Sequence, residues 1–304
     1  MELTYHNIKK FLGGIFVKRK AFLSNIILLI SLVMVIFLPS KPFKAMDSFS
    51  NGNMTQFMYI FLPAMAYAAI SKDNHYNIFK IRFMELKDLI RVVIIAILMT
   101  PITMFIANGV SYLFNMNYSY GFYYGEMPLW FIVFSVVIIP SICEEIFFRG
   151  AILHGYRDVG VPKGIFFSSL IFALFHLNIY QFSYTLILGI VMAITVHYTQ
   201  SIFSGMIIHG INNLTAVIFS LPIGTQYKLL EEFRGYDKES LWFLFPIALG
   251  SMVVIFVILK FMGRDSKAFM PIYTTNEKII DLPLMIVITF SFALIITKAL
   301  AYLI

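Results

Sequence analysis

The chain alternates nine apolar stretches with short polar connections, and most of the stretches approach the roughly 20 residues that an α-helix needs to cross a bilayer. In lipid every backbone N–H and C=O must find its partner inside the protein, which leaves helices as the only way for such stretches to span. The expected fold is therefore all-α, a polytopic transmembrane helical bundle of about eight or nine spans. Composition agrees, since 60% of the 304 residues are hydrophobic and only 13% are charged, far from the balance of a soluble domain. A single cysteine, Cys143, allows no intramolecular disulfide, so helix packing must hold the bundle together.

The apolar periodicity and its breakers place helices at 21–39, 54–70, 89–114, from 127 through an acidic motif, 162–177, 182–199, 201–220, 241–262 and 281–303. Pro63 interrupts the second and Pro101 kinks the third. Residues 1–20 form a basic amphipathic lead, 115–126 a Tyr- and Asn-rich outer interface, and 225–240 a loop of mixed charge. Three parts follow: 1–126 with three flanking helices, a core of four helices at 127–221, and 222–304 with two further helices.

Lysines and arginines number five, five, three, none and four in the connections on the N-terminal side, against two, none, none and three on the other. That asymmetry predicts a multi-pass cell-membrane protein with a cytosolic N-terminus. It also puts Glu144 in the inner half of the membrane, with its site opening on the cytosolic side. The net charge of +7 comes from these loops and from no basic run interleaved with exposed aromatics, so the partner is the lipid bilayer and not nucleic acid.

Against this background Glu144, Glu145 and Arg149 stand out, because an ionised side chain at mid-bilayer costs roughly 2.5–3.5 kcal/mol even on lenient insertion scales. Adjacent acids leave a helix about 100° apart, so their roles should differ. Glu145 precedes Arg149 by one turn and suits a structural ion pair. Glu144, without a partner in sequence, suits a general base for water. Phe172 and His176, and likewise His209 and Asn213, are four apart and share a helix face. His176 can share the proton with Glu144, while His209 and Asn213 can donate to a developing oxyanion. Glu144, His176 and His209 also permit a metal reading, a two-His, one-carboxylate set for Zn2+. The bland readings are packing for Phe172 and His197, a small buried side chain for Cys143, and loop or interfacial positions without function for His6, His75 and His154. If the fourth helix ends near Arg149, His176 lies far from Glu144; either that helix continues past Gly150, or the fifth is tilted or begins outside the bilayer.

Glu144-Glu145-xxx-Arg149, Phe172-xxx-His176 and His209-xxx-Asn213, in this order on consecutive apolar helices, resemble the motifs of the CAAX prenyl protease and bacteriocin-processing (CPBP, or Abi) family. The resemblance covers 128–220. It implies an intramembrane endopeptidase acting on a peptide or membrane-protein substrate, with Glu144 and His176 activating water and His209 and Asn213 holding the oxyanion. The alternatives are a non-catalytic immunity or scaffold protein and a proton-coupled transporter.

Overall fold

The computed structural model describes residues 20–38, 48–114, 127–220, 237–266 and 278–301. Residues 1–19 of the basic lead, the 115–126 interface and residues 225–236 of the mixed-charge loop lie outside these residues. Among the described residues the chain is helical without strands, and eight helices are long and apolar enough to cross a membrane.

The first helix, α1, is Lys20–Phe37. The second, α2, runs without a break through Ser48–Gln56, a π-wound turn at Phe57–Phe61 and Leu62–Ser71. Pro63 lies inside this continuous helix and offers no N–H to the Tyr59 carbonyl one turn back, to which Ser31 Oγ of α1 donates instead. A short α3, His75–Phe79, is capped by the Asn74 side chain accepting from the Tyr76 N–H. Then come α4, Leu86–Leu113; α5, Leu129–Gly155; α6, Val161–Leu174; α7, Ile179–Thr199; α8, Ile202–Ser220; α9, Lys238–Asp265; and α10, Leu282–Leu300.

Two expectations need correction. Arg149 and His154 do not lie in a loop: α5 continues to Gly155 and both side chains are buried. The His154 Nδ1 lies 3.0 Å from the Tyr67 hydroxyl, and its Nε2 lies 3.6 Å from Asp73 on the basic face. The helix can continue because Arg149 is neutralised inside the bundle, which apolar periodicity cannot reveal. Of the two ways to bring His176 near Glu144, the structure takes the first. The second helix is also longer than 54–70, because its polar first turns face other helices instead of solvent.

Ion pairs tie the basic ends of the helices into one face. Lys20 Nζ of α1 lies 2.5 Å from Asp73 Oδ2 just beyond α2, and Arg157 Nη1 beyond α5 lies 3.3 Å from the same oxygen. Arg91 near the start of α4 meets Asp265 at the end of α9 at 2.8 Å. The Ile202 N–H at the α7–α8 turn donates to the Lys80 carbonyl at 3.0 Å. Deeper in, Tyr156 donates to Asn25 Oδ1 at 2.5 Å, and Asn25 Nδ2 donates to the Ile279 carbonyl at 2.8 Å, fastening α10 to α1 and α5. With 14 residues, α6 is about 21 Å long, too short for a bilayer core of about 30 Å. It therefore ends within the bundle and delivers residues 175–178 to the interior.

Candidate active site

Pro140 shapes α5 where the acids leave it. The helix is π-wound over Val133–Ile138 and again over Ile146–Ile152, with α-helical Ile139–Glu145 between them. π-turns of this kind shift the register of the side chains and recur at functional positions. Proline has no N–H to offer the Val136 carbonyl one turn back. Asn213 of α8 fills that place, its Nδ2 donating to Val136 O at 3.1 Å.

The two glutamates go to different places. Glu145 is fully buried; its Oε1 accepts from Arg149 Nη1 at 2.8 Å and lies 3.1 Å from His209 Nδ1. Arg149 also donates through Nη2 to the Gly189 carbonyl of α7 at 3.2 Å, and its guanidinium sits 4.2 Å from the centre of the Phe172 ring. Phe172 in turn meets the rings of His176 and His209 edge-on, with centroids at 5.1 and 5.7 Å. The expected packing role of Phe172 thus extends to three polar neighbours.

Glu144 faces a cavity of about 390 Å3, lined also by His176, His209, Asn213 and, from α2, Gln56. Its Oε1 accepts from Gln56 Nε2 at 2.7 Å, and its Oε2 stands 3.9 Å from His209 Nε2. That gap is too long for a direct hydrogen bond, but a water making two bonds of about 2.8 Å spans it. His176 Nδ1 lies 2.9 Å from the Phe172 carbonyl, which only a ring N–H can satisfy, so Nε2 is the acceptor in the neutral ring. All four proposed site residues therefore border one cavity.

Two partnerships were not read from sequence. Gln56 falls within the expected helix at 54–70, and its only signal is a carboxamide just before an apolar run. The contact of His209 with Glu145 joins residues 64 apart, and the local ion-pair reading gave Glu145 to Arg149 alone.

The cavity does not extend toward the basic face. Its lining comes from Val35 near the end of α1, Gly52 to Ile60 in the first half of α2, Gln181 to Leu188 at the start of α7 and His209 to Ala216 in the second half of α8. Each belongs to the part of its helix remote from the basic ends. Glu144 itself is 11 residues from Gly155 and 15 from Leu129, nearer the basic face.

Among the described residues no group of three or more His, Cys, Asp or Glu side chains is placed to hold a metal ion. His209 and His176 each turn Nδ1 to a protein acceptor, which leaves Nε2 of each ring as the nitrogen a metal would take.

Gly205 of α8 lies against the Glu145 carboxylate: a Cβ there would come within 3.2 Å of Glu145 Cδ, closer still to Oε2, and 3.1 Å from Val196 Cγ2. Gly205→Ala should therefore cost about 1–3 kcal/mol by overpacking a buried charged group. Thermal unfolding in detergent measures this, and an unchanged midpoint would show that α8 can move away from α5.

No curated protein and no solved structure matches the chain. Residues 126–215, which carry all three motifs and most of the cavity wall, match the family model described as Rce1-like, type II CAAX prenyl endopeptidase.

Proposed function

We propose that the protein is a CAAX-type intramembrane endopeptidase whose attacking water is held between Glu144, His176 and His209. The observation that carries this reading is the shared cavity, with Glu144 Oε2 and His209 Nε2 separated by 3.9 Å. A water there gives one proton to the Glu144 carboxylate as its oxygen adds to the peptide carbonyl carbon; the His176 Nε2 lone pair accepts its other hydrogen and orients it. Glu144 then passes the proton to the leaving nitrogen as the C–N bond breaks. Glu145, at hydrogen-bonding distance from His209 Nδ1, orients the ring, and His209 and the Asn213 carboxamide donate to the oxyanion. No step is routed through a metal.

The substrate class is a peptide segment of a membrane-associated polypeptide entering a cavity bounded by α2, α5, α7 and α8. The excess of basic residues on one face supports a cytosolic N-terminus in the cell membrane. A transporter is disfavoured because the polar groups converge on one closed cluster of α2, α5, α6 and α8 and not on a pair of broken helices.

Cleavage of membrane-anchored peptides by the purified protein in detergent tests the proposal. His176→Ala and Asn213→Ala should each lower turnover by about 10²–10³-fold with the helical fold retained. Wild-type turnover by both variants would refute the assignment. Loss of cleavage on chelation, restored by Zn2+, would return the water to a metal.

A further inference from the structure

A second cavity, of about 290 Å3, lies on the basic face, away from the glutamates and bounded by α3 and its following loop, the end of α5, the start of α6 and the α7–α8 turn. Its polar lining includes Lys80, Arg82, Arg157, His197, Asn77 and Gln200, and no carboxylate belongs to it. The walls are fastened to one another. Ser201 Oγ donates to the Arg82 carbonyl, the Ile202 N–H donates to Lys80 O at 3.0 Å, and Gln200 Nε2 donates to His197 O at 2.6 Å.

The charges inside are unevenly matched. Arg157 is paired outside the cavity, with Asp73 at 3.3 Å and Asp158 at 3.5 Å. Neither Lys80 nor Arg82 has a carboxylate partner among the described residues; Arg82 donates to Asn77 Oδ1 at 3.3 Å and lies over the Tyr76 ring at 5.2 Å. His197 is only 8% exposed, yet its Nε2 has no hydrogen-bond partner. A buried ring nitrogen without a partner is costly unless something else fills that place. The N-terminus of α6 at Val161 borders the same space and adds its positive end.

We propose that this cavity binds a phosphate group, carried by an anionic lipid headgroup or by a free phosphate ester, with Lys80, Arg82 and His197 as its ligands. Two donors from the loop after α3 and one from the end of α7 approach from two walls, which suits a tetrahedral group of oxygens, and the basic helix ends suit headgroup level. Burial, and secondarily the charge of Arg82, hold the Lys80 amine down to about 8, so a bound anion supplies the charge that the site lacks.

The test uses the full chain in phosphatidylcholine nanodiscs. Inorganic phosphate is titrated at constant ionic strength in one arm, and phosphatidylglycerol replaces part of the lipid in the other. Ligand that binds the folded state raises the melting midpoint saturably, and Lys80→Gln should weaken that binding about tenfold or more. A shift in the phosphate arm alone identifies a soluble ester, and in the lipid arm alone a headgroup. An equal shift with sodium chloride, or none in either arm, overturns the proposal. Should Lys80→Gln fail to fold, acetylation of wild-type Lys80 near pH 8, read by mass spectrometry, decides. Protection by phosphate or by phosphatidylglycerol supports the site, and unprotected Lys80 in both arms overturns it.

Discussion

Arg149→Met should remove about 3–5 kcal/mol of stability, the largest structural effect expected of a single substitution here. Arg149 is 1% exposed and Glu145 0%, so removing the guanidinium leaves a carboxylate inside the bundle with only the 3.1 Å contact to His209. The variant also loses the bond to the Gly189 carbonyl and the contact with the Phe172 face. Replacing both partners, Glu145→Leu with Arg149→Met, should recover most of that loss, because two charges no longer have to be desolvated. Turnover should nevertheless stay low in the double variant, since His209 Nδ1 then lacks the carboxylate that orients the ring. Circular dichroism melts in detergent compare the three proteins. If Arg149→Met melts with the wild type, the pair is solvated and the described burial is wrong.

The helices were legible because the bilayer imposes a length and an apolar composition that few other constraints produce. What sequence misplaced was the polar exceptions. Arg149 and His154 looked like the end of a helix, although Glu145, Gly189, Phe172 and Tyr67 satisfy them internally. Residues 48–53 of α2 looked like a turn, and nothing in the expected helix marked Gln56 as facing Glu144. The same limit applied to the site. Spacing of four put His209 and Asn213 on one face of α8, whereas α6 ends at Leu174 and His176 meets Phe172 from the turn beyond it, and the meeting of these groups in one cavity was a reasonable inference from chemistry. The division of labour between the adjacent acids depended on long-range partners, and no periodicity encodes Glu145 with His209 or Glu144 with Gln56. The direction of the cavity was equally hidden, because charge counts orient the helices but do not say which half of each bounds a space.

Glu144→Gln should lower turnover by about 10²–10⁴-fold, the usual contribution of a positioned general base, while leaving the melting midpoint close to that of the wild type. The amide keeps the shape and can still accept from Gln56 Nε2 through its oxygen, so the 2.7 Å contact survives. What it loses is the ability to take a proton from water and deliver it to the leaving nitrogen. Glu144 keeps a 14% exposed side chain, so removing its charge leaves no deeply buried ion unpaired, unlike the loss of Arg149. Gln56→Leu separates positioning from chemistry: with Glu144 still present but no longer held, kcat should fall by about tenfold, one charge-assisted hydrogen bond, with little change in KM. Single-turnover cleavage of a membrane-anchored peptide, with unfolding monitored in parallel, distinguishes the outcomes. Full activity in Glu144→Gln would remove the general base from the mechanism, whereas a collapse of its melting midpoint would make Glu144 a structural residue and shift the search for the base to His176.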